Sequence, residues 1–234
     1  MATTVSALEL LTRGAVTVKG RMPWSSNATF LVELALDGAT THAVYKPGRG
    51  ERPLWDFPPD LFRREIAAYL LSEALGWGLV PLTVPREGPY GAGSLQLFVD
   101  ADFEQHYFTL LERPEQHERL KAICLFDLAA NNADRKSGHC LLGPDGGVWA
   151  IDNALTFHVE PKLRTVIWDF AGEPIPEEPL GDLARLAGAD LPPALAELLS
   201  SPERKTLLAR FRRLVSERRF PRDRSGQRYP WPLV

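Results

Sequence analysis

An α+β fold of two lobes is the architecture this sequence predicts. Three observations carry it. Apolar stretches with period-two alternation, separated by turn residues, crowd the first hundred positions. Apolar residues at helical spacing fill the rest, with proline-rich joints between them. A chain of 234 residues is also long enough to bury one core, or two lobes sharing a cleft, without covalent staples. The pattern changes near residues 99–103, so 1–100 reads as a strand-rich lobe and 101–234 as a helical one.

Residues 14–20 alternate and end at a glycine, which predicts a strand. Residues 29–36 form the second, closed by Asp37-Gly38, a strong hairpin signal. Residues 41–46 form the third, stopped by Pro47-Gly48. After a loop rich in Gly, Arg and Pro, Asp60 is expected to cap a helix that runs to Leu75 and ends at Gly76 and Gly78. Another strand is expected over 94–99. A helix over 114–130 is apolar in its second half and is expected to be buried. Short strands over 139–142 and 148–151 flank Pro144-Asp145-Gly146-Gly147. The last clear helix begins at Ser201-Pro202-Glu203 and carries Leu207, Leu208, Phe211, Leu214 and Val215 as its stripe.

Composition narrows the function classes. The net charge of −3 excludes a chain basic throughout, of the kind that coats nucleic acid. No apolar run reaches the roughly 20 residues of a membrane helix. Residues 1–9 lack the basic and apolar regions of a secretory signal. The two cysteines, Cys124 and Cys140, make no disulfide framework and read as core residues, so a cytoplasmic protein is expected. Residues 210–234 hold eight arginines against Glu217 and Asp223, a net +6, which leaves −9 on residues 1–209. Residues 221–234 read as a tail lying on the body.

The densest polar run, Asn131 to His139, follows the apolar helix and precedes the short strands. A solvated loop has this composition too. A two- or four-residue loop centred between Asp145 and Gly146 sets His139 opposite Asp152. Side chains so opposed can share one divalent ion, or form a surface pair. Asp134 is placed to orient an acceptor hydroxyl or act as a base. Asp127 lies among apolar neighbours, so its partner is expected in the backbone of the polar loop. Lys46 ends an apolar strand. Glu65 shares a helix face with Leu61, Ala68, Tyr69 and Ser72, and a carboxylate on a packed face needs a partner; Lys46 is the candidate. The small residues Ser25, Ser26, Asn27 and Ala28 let backbone N–H groups approach an anion. Trp149 and Trp168 read as packing.

In chain order these are the small-residue hairpin, Tyr45-Lys46-Pro47, Arg64-Glu65-Ile66-Ala67-Ala68-Tyr69-Leu70-Leu71, Asn132-Ala133-Asp134-Arg135 and Ile151-Asp152-Asn153. The set resembles the phosphatidylinositol 3-/4-kinase-like group of atypical kinases, and within it a small actinobacterial branch. The resemblance spans roughly residues 14–170. It implies a two-lobed protein-kinase-like fold with ATP in the cleft and Mg²⁺ or Mn²⁺ beside it. Lys46 would hold the phosphates, Glu65 would fix Lys46, and Ser25, Ser26 and Asn27 would cover the phosphates. Gln96 and Phe98 would line the adenine pocket. Asp134 would match the catalytic-loop aspartate and Asp152 the metal-binding one. Lys136 stands where the group has His, and His139 where it has the metal-binding Asn. Lys136 is then a contact for the transferred phosphoryl group, and the nitrogen of His139 shifts preference towards Mn²⁺.

Three functions fit these residues. The first is an ATP- and metal-dependent phosphotransferase. Its acceptor is unspecified, with a small molecule or a protein favoured over a lipid, because no amphipathic basic helix is evident. The second is a nucleotide-binding pseudokinase, suggested by Lys136 and His139. The third is a metal-dependent hydrolase built on Asp134, His139, Asp152 and His158.

Overall fold

The computed structural model describes residues 5–23, 25, 27–223 and 225–233. The fold is α+β. A helix that the alternation does not announce, α1 (Ala7–Arg13), comes first. Its signal is Ser6-x-x-Glu9, a capping box in which each side chain accepts from the other's backbone N–H.

Five antiparallel strands form one sheet: β1 (Ala15–Arg21), β2 (Phe30–Leu36), β3 (Ala39–Pro47), β4 (Thr83–Gly88) and β5 (Gly91–Leu97), in the order β1-β2-β3-β5-β4. Asp37 and Gly38 turn β2 into β3 with φ of 48° and 82°, the doubly left-handed turn that suits strand twist. Strand β4 breaks the alternation with Pro85 and charged residues, and only an edge position tolerates that proline. Leu11, Val32, Leu34, Ala43, Tyr45, Val84 and Leu95 close a core between the sheet and α1.

Helix α2 (Phe62–Leu75) ends as expected at Gly76, whose φ of 77° suits a glycine. Its start differs from expectation. Asp60 does not cap it. The Glu51 carboxylate, ten residues upstream of Leu61, accepts from the N–H groups of Leu61 and Phe62 at 2.8 Å each. A charged acceptor also favours the positive end of a helix dipole. Ala67, Ala68, Leu71 and Leu75 of α2 pack into a larger core with the helices that follow. These are α3 (Tyr107–Leu111), α4 (His117–Ala130), α5 (Glu177–Ala187), α6 (Pro193–Ala196) and α7 (Ser201–Glu217). Residues 114–116, expected as helix, form a separate 3₁₀ turn before α4. The second half of α4 is buried from Ile123 to Ala130. Helix α7 is capped by Ser200 rather than Ser201, through a second capping box with Glu203. Burial of Leu207, Phe211 and Leu214 contributes about 1.5–3 kcal/mol each.

Strands β6 (Cys140–Leu142) and β7 (Val148–Ala150) form a second, two-stranded sheet. Leu142 pairs with Val148, so the loop between them has five residues. That odd length shifts the expected register by one: His139, in a 3₁₀ turn, lies level with Ile151, whose N–H donates to its carbonyl at 3.0 Å. The chain after α7 returns across the helical part. The Arg228 carbonyl accepts from the Thr165 N–H (3.0 Å) and the Trp168 indole (3.2 Å), and the Leu233 carbonyl accepts from Ser137 N–H (2.8 Å). Among the described residues no helix is long and apolar enough to cross a membrane.

Replacing Glu51 with Ala leaves the two N–H groups at the start of α2 without their partner. Urea unfolding is expected to show a loss of about 1 kcal/mol. An unchanged midpoint would show that water serves α2 equally well.

Candidate active site

Strand β3 turns Ala43 and Tyr45 into the sheet core, so Lys46 faces the opposite side, towards the cleft. Its ammonium bonds the Glu65 carboxylate from α2 and reaches Asp152 Oδ1 at 2.7 Å. Glu65 is 1 % exposed and accepts from the Asn153 N–H through Oε2 at 2.9 Å. The lone carboxylate on the packed helix face therefore has the partner the sequence calls for. Burial pushes its pKa up, while Lys46 pulls it down. Asp152 is held well below the usual carboxylate range by the Lys46 charge. Lys46 is itself held charged: Asp152 and Glu65 outweigh the effect of its burial.

The polar loop hangs from the end of α4. Asn131, with φ of 57°, ends the helix, and its side chain donates to the carbonyls of His158 (2.9 Å) and Glu160 (2.7 Å). Beneath the loop lies Arg135, fully buried with Asp127. Its guanidinium spans both Asp127 carboxylate oxygens at 2.9–3.1 Å. It also donates to the Ile151 carbonyl and Asn153 Oδ1, both at 2.6 Å. Asp127 thus meets the side chains of Arg135 and Asn132 rather than loop backbone, because a buried cation is the more demanding partner.

Above this pair, Asp134 lies at the surface of the cleft with Lys136 Nζ at 2.6 Å. Burial raises the Asp134 pKa against the opposing effect of Lys136. Asp152 sits in the left-handed region at φ of 55°, which an aspartate tolerates. That turn takes it out of the β6–β7 ladder and brings Oδ2 to 3.5 Å from His139 Nε2. The two residues meet as expected, but by this turn and not by direct cross-strand pairing.

His139 is kept neutral by burial, its pKa pushed down to about 4. Its Nδ1 lies 3.0 Å from the Asp134 carbonyl and 3.3 Å from the Lys136 N–H. The shorter contact suits a proton on Nδ1, which leaves the Nε2 lone pair facing a carboxylate oxygen. Two acceptors so opposed fit a cation between them. No group of three or more His, Cys, Asp or Glu gathers among the described residues. Two protein ligands match a hard divalent ion that takes its remaining ligands from phosphates and water.

A cavity of about 470 Å³ joins these groups. Lys46, Glu65, Asp134, Lys136, His139 and Asp152 all line it, as do Ser25 and Asn27. Ser25 Oγ is 2.8 Å from Thr29 Oγ1, and Asn27 Oδ1 accepts from the Arg52 N–H at 2.9 Å. Gly50 packs so closely on this loop that a Cβ there would lie 2.5 Å from that of Ala28. Ser26 lies outside the described residues. Gln96 and Phe98 do not line this cavity. The Gln96 amide donates to Thr83 (2.9 Å), and the Phe98 N–H continues the sheet to the His42 carbonyl (3.1 Å). His158 packs against Phe57, with ring centroids 5.1 Å apart, and accepts from the Glu160 N–H. It does not line this cavity, so Asp134, His139, Asp152 and His158 are not gathered into one cluster among the described residues. Trp231 and Pro232 of the returning tail line the cavity. Sequence pattern places the tail on the body and gives no sign of where it lands.

The sheet, the helical body and a strand lysine shared between a helix glutamate and the aspartate after β7 define a kinase-like fold of the atypical kind. Hydra Fam20, solved with sugar, shares it at a TM-score of 0.58 and 16 % identity, over 92 % of this chain and 90 % of that one. The Helicobacter pylori proinflammatory kinase CtkA does so at 0.52 and 12 % (89 % and 94 %). The Golgi casein kinase with Mn/ADP bound does so at 0.55 and 15 % (97 % and 79 %). In sequence, the chain is 41 % identical over 260 aligned residues to protein Rv2133c of Mycobacterium tuberculosis (strain ATCC 25618 / H37Rv), covering 95 % of this chain and 94 % of that protein. It belongs to the same family as Rv2133c. No protein-family model matches it.

Asp127→Ala strands Arg135 as a buried cation, and a loss of about 3–5 kcal/mol is expected in urea unfolding. A loss under 1 kcal/mol would mean that water enters to solvate the guanidinium. His139 gives a pH signature. Its folded pKa of about 4 lies below the ordinary 6.5, so between these values the unfolded state binds more protons. Its contribution is full above pH 6.5 and is lost as pH falls towards 4. His139→Asn is expected to flatten the fall in melting temperature across that window; parallel curves for the two proteins would contradict it.

Proposed function

We propose that this protein is an ATP- and divalent-metal-dependent phosphotransferase. The observation that carries the reading is Lys46 shared between Glu65 and Asp152 at the floor of the cavity. A lysine held by two carboxylates is a preorganised cation for nucleotide phosphates. In this reading residues 1–100 form the nucleotide-side lobe and 101–234 carry the catalytic loop. Ser25, Ser26 and Asn27 cover the phosphates. Asp152 and His139 would hold Mg²⁺ or Mn²⁺, which supplies charge neutralisation at the phosphates. Asp134, with its raised pKa, orients and deprotonates the acceptor hydroxyl, and Lys136 faces the transferred group. The order of motifs from Tyr45-Lys46-Pro47 to Ile151-Asp152-Asn153 supports placing the enzyme with the phosphatidylinositol 3-/4-kinase-like kinases. The bound Mn/ADP of the Golgi casein kinase supports the choice of ligands. A small molecule or protein acceptor is favoured over a lipid, and a cytoplasmic location is part of the same proposal.

Titration calorimetry with ATP is expected to show binding that strengthens with Mn²⁺, and Asp152→Ala is expected to abolish the metal dependence. Asp134→Asn should retain ATP binding and lower turnover by about 10²–10⁴-fold. His139→Asn should move the preference towards Mg²⁺. Absence of metal-dependent ATP binding in the native chain would overturn the proposal. Binding without turnover for any acceptor would assign a pseudokinase instead.

A further inference from the structure

A second cavity, about 270 Å³, shares Asn27, Leu61, Asp134, Asp152 and Ala154 with the first. It runs on from the two aspartates beneath the segment between β3 and α2, where Arg52, Leu54 and Leu155 complete its wall. Its size is below the roughly 300–1,000 Å³ of sites for drug-sized ligands. The covering segment is fastened at both ends. Glu51 is held by the start of α2 at 2.8 Å. Asp56 is held by Lys162 Nζ at 3.1 Å, and the same ammonium lies 5.2 Å from the centre of the Trp55 ring. Phe57 is buried with Leu61 and Ala133. A cavity of this size fits a small acceptor better than an extended polypeptide.

Charge gives the second half of the argument. Asp134 is paired with Lys136, and Asp152 with Lys46. The main-chain N–H of Arg52 is fixed by Asn27 Oδ1. Its guanidinium has no hydrogen bond or ion pair with any described residue. Arg52, an exposed residue, is therefore the charge without a partner on a wall whose other members are Asn27, the two aspartates and the apolar Leu54, Leu61, Ala154 and Leu155. A guanidinium in that position matches a carboxylate or phosphate.

Resting on the phosphotransferase reading, we infer that this cavity is the acceptor subsite. It takes a compact alcohol that carries an anionic group, the hydroxyl at Asp134 and the anion at Arg52. The hydroxyl oxygen forms the new bond to the γ-phosphorus as the bond from that phosphorus to the β,γ-bridging oxygen breaks. ADP leaves with that electron pair, and the hydroxyl proton passes to the Asp134 carboxylate.

The test follows ADP release by the full chain with ATP and Mn²⁺, using D-glycerate and glycerol 3-phosphate as anionic probes, glycerol as the neutral one and a serine-containing peptide. Both anionic probes, or one of them, should stimulate release with a KM about tenfold or more below that of glycerol. Arg52→Gln should raise that KM about tenfold with kcat little changed, and Arg52→Lys should recover part of the loss. Equal use of glycerol, preference for the peptide, or no stimulation by either anionic probe would overturn the inference. So would a fall in kcat at constant KM in Arg52→Gln, which would place Arg52 on the transferred phosphoryl group. Calorimetry on the same preparation separates the two levels. ATP binding without these effects overturns the acceptor assignment alone, whereas no ATP binding overturns the kinase reading beneath it.

Discussion

The pair formed by Arg135 and Asp127 is the constraint on which the site depends. Both side chains are fully buried, and neither charge tolerates that environment alone. The guanidinium therefore holds every acceptor around it: the α4 carboxylate, the Ile151 and His139 carbonyls and the Asn153 amide. These acceptors come from the end of α4, the turn before β6 and the chain just beyond β7. The residues between them in space, Asp134, His139 and Asp152, are the ones that face the cleft. Their spacing is set from below by hydrogen-bond demand, where packing alone would leave a polar loop free to slide.

Above that foundation the site is a chain of shared charges. Lys46 serves Glu65 and Asp152, Asp152 also faces His139, and His139 rests on the Asp134 carbonyl. Asp152 is held ionised chiefly by Lys46, whereas burial is the main influence on His139 and Glu65. Residues 1–209 carry a net negative balance, and the cations that line the cavity are Lys46 and Lys136.

Much of this was legible in the sequence, for a definable reason. Glu65 stands out because a carboxylate on an apolar helix face must have a partner, and Lys46 supplies it. Asp134 and Asp152 follow from the abrupt change from apolar helix to polar loop and from the ribbon after it. The strands β1 to β3 declare themselves by alternation and by Asp37-Gly38. Strand β4 does not, since Pro85 and its charged neighbours look like a loop until an edge position accepts them. The ribbon register failed on one residue of loop length, which local pattern does not encode. Gln96 stands on the same face of the sheet as Lys46, but Thr83 on the neighbouring strand takes up its amide and it does not line the cavity, a pairing that local pattern does not encode. Arg52, Glu51 and Trp231 act at distances in the chain over which periodicity carries no information.

Helix α2 carries one more consequence. Arg64, next to Glu65, is buried and binds the Thr156 carbonyl and the Glu203 carboxylate of α7. The apolar side of α2 lies in the same core as α4 and α7. Glu65 is thereby bolted to the helical body, while Lys46 rides on the sheet. Their ion pair is thus a tie between the sheet and the helical body, and any separation of β3 from α2 stretches it. The pair that fixes Lys46 at the cavity is therefore, in mechanical terms, also a link between the core of the sheet and the core of the helices.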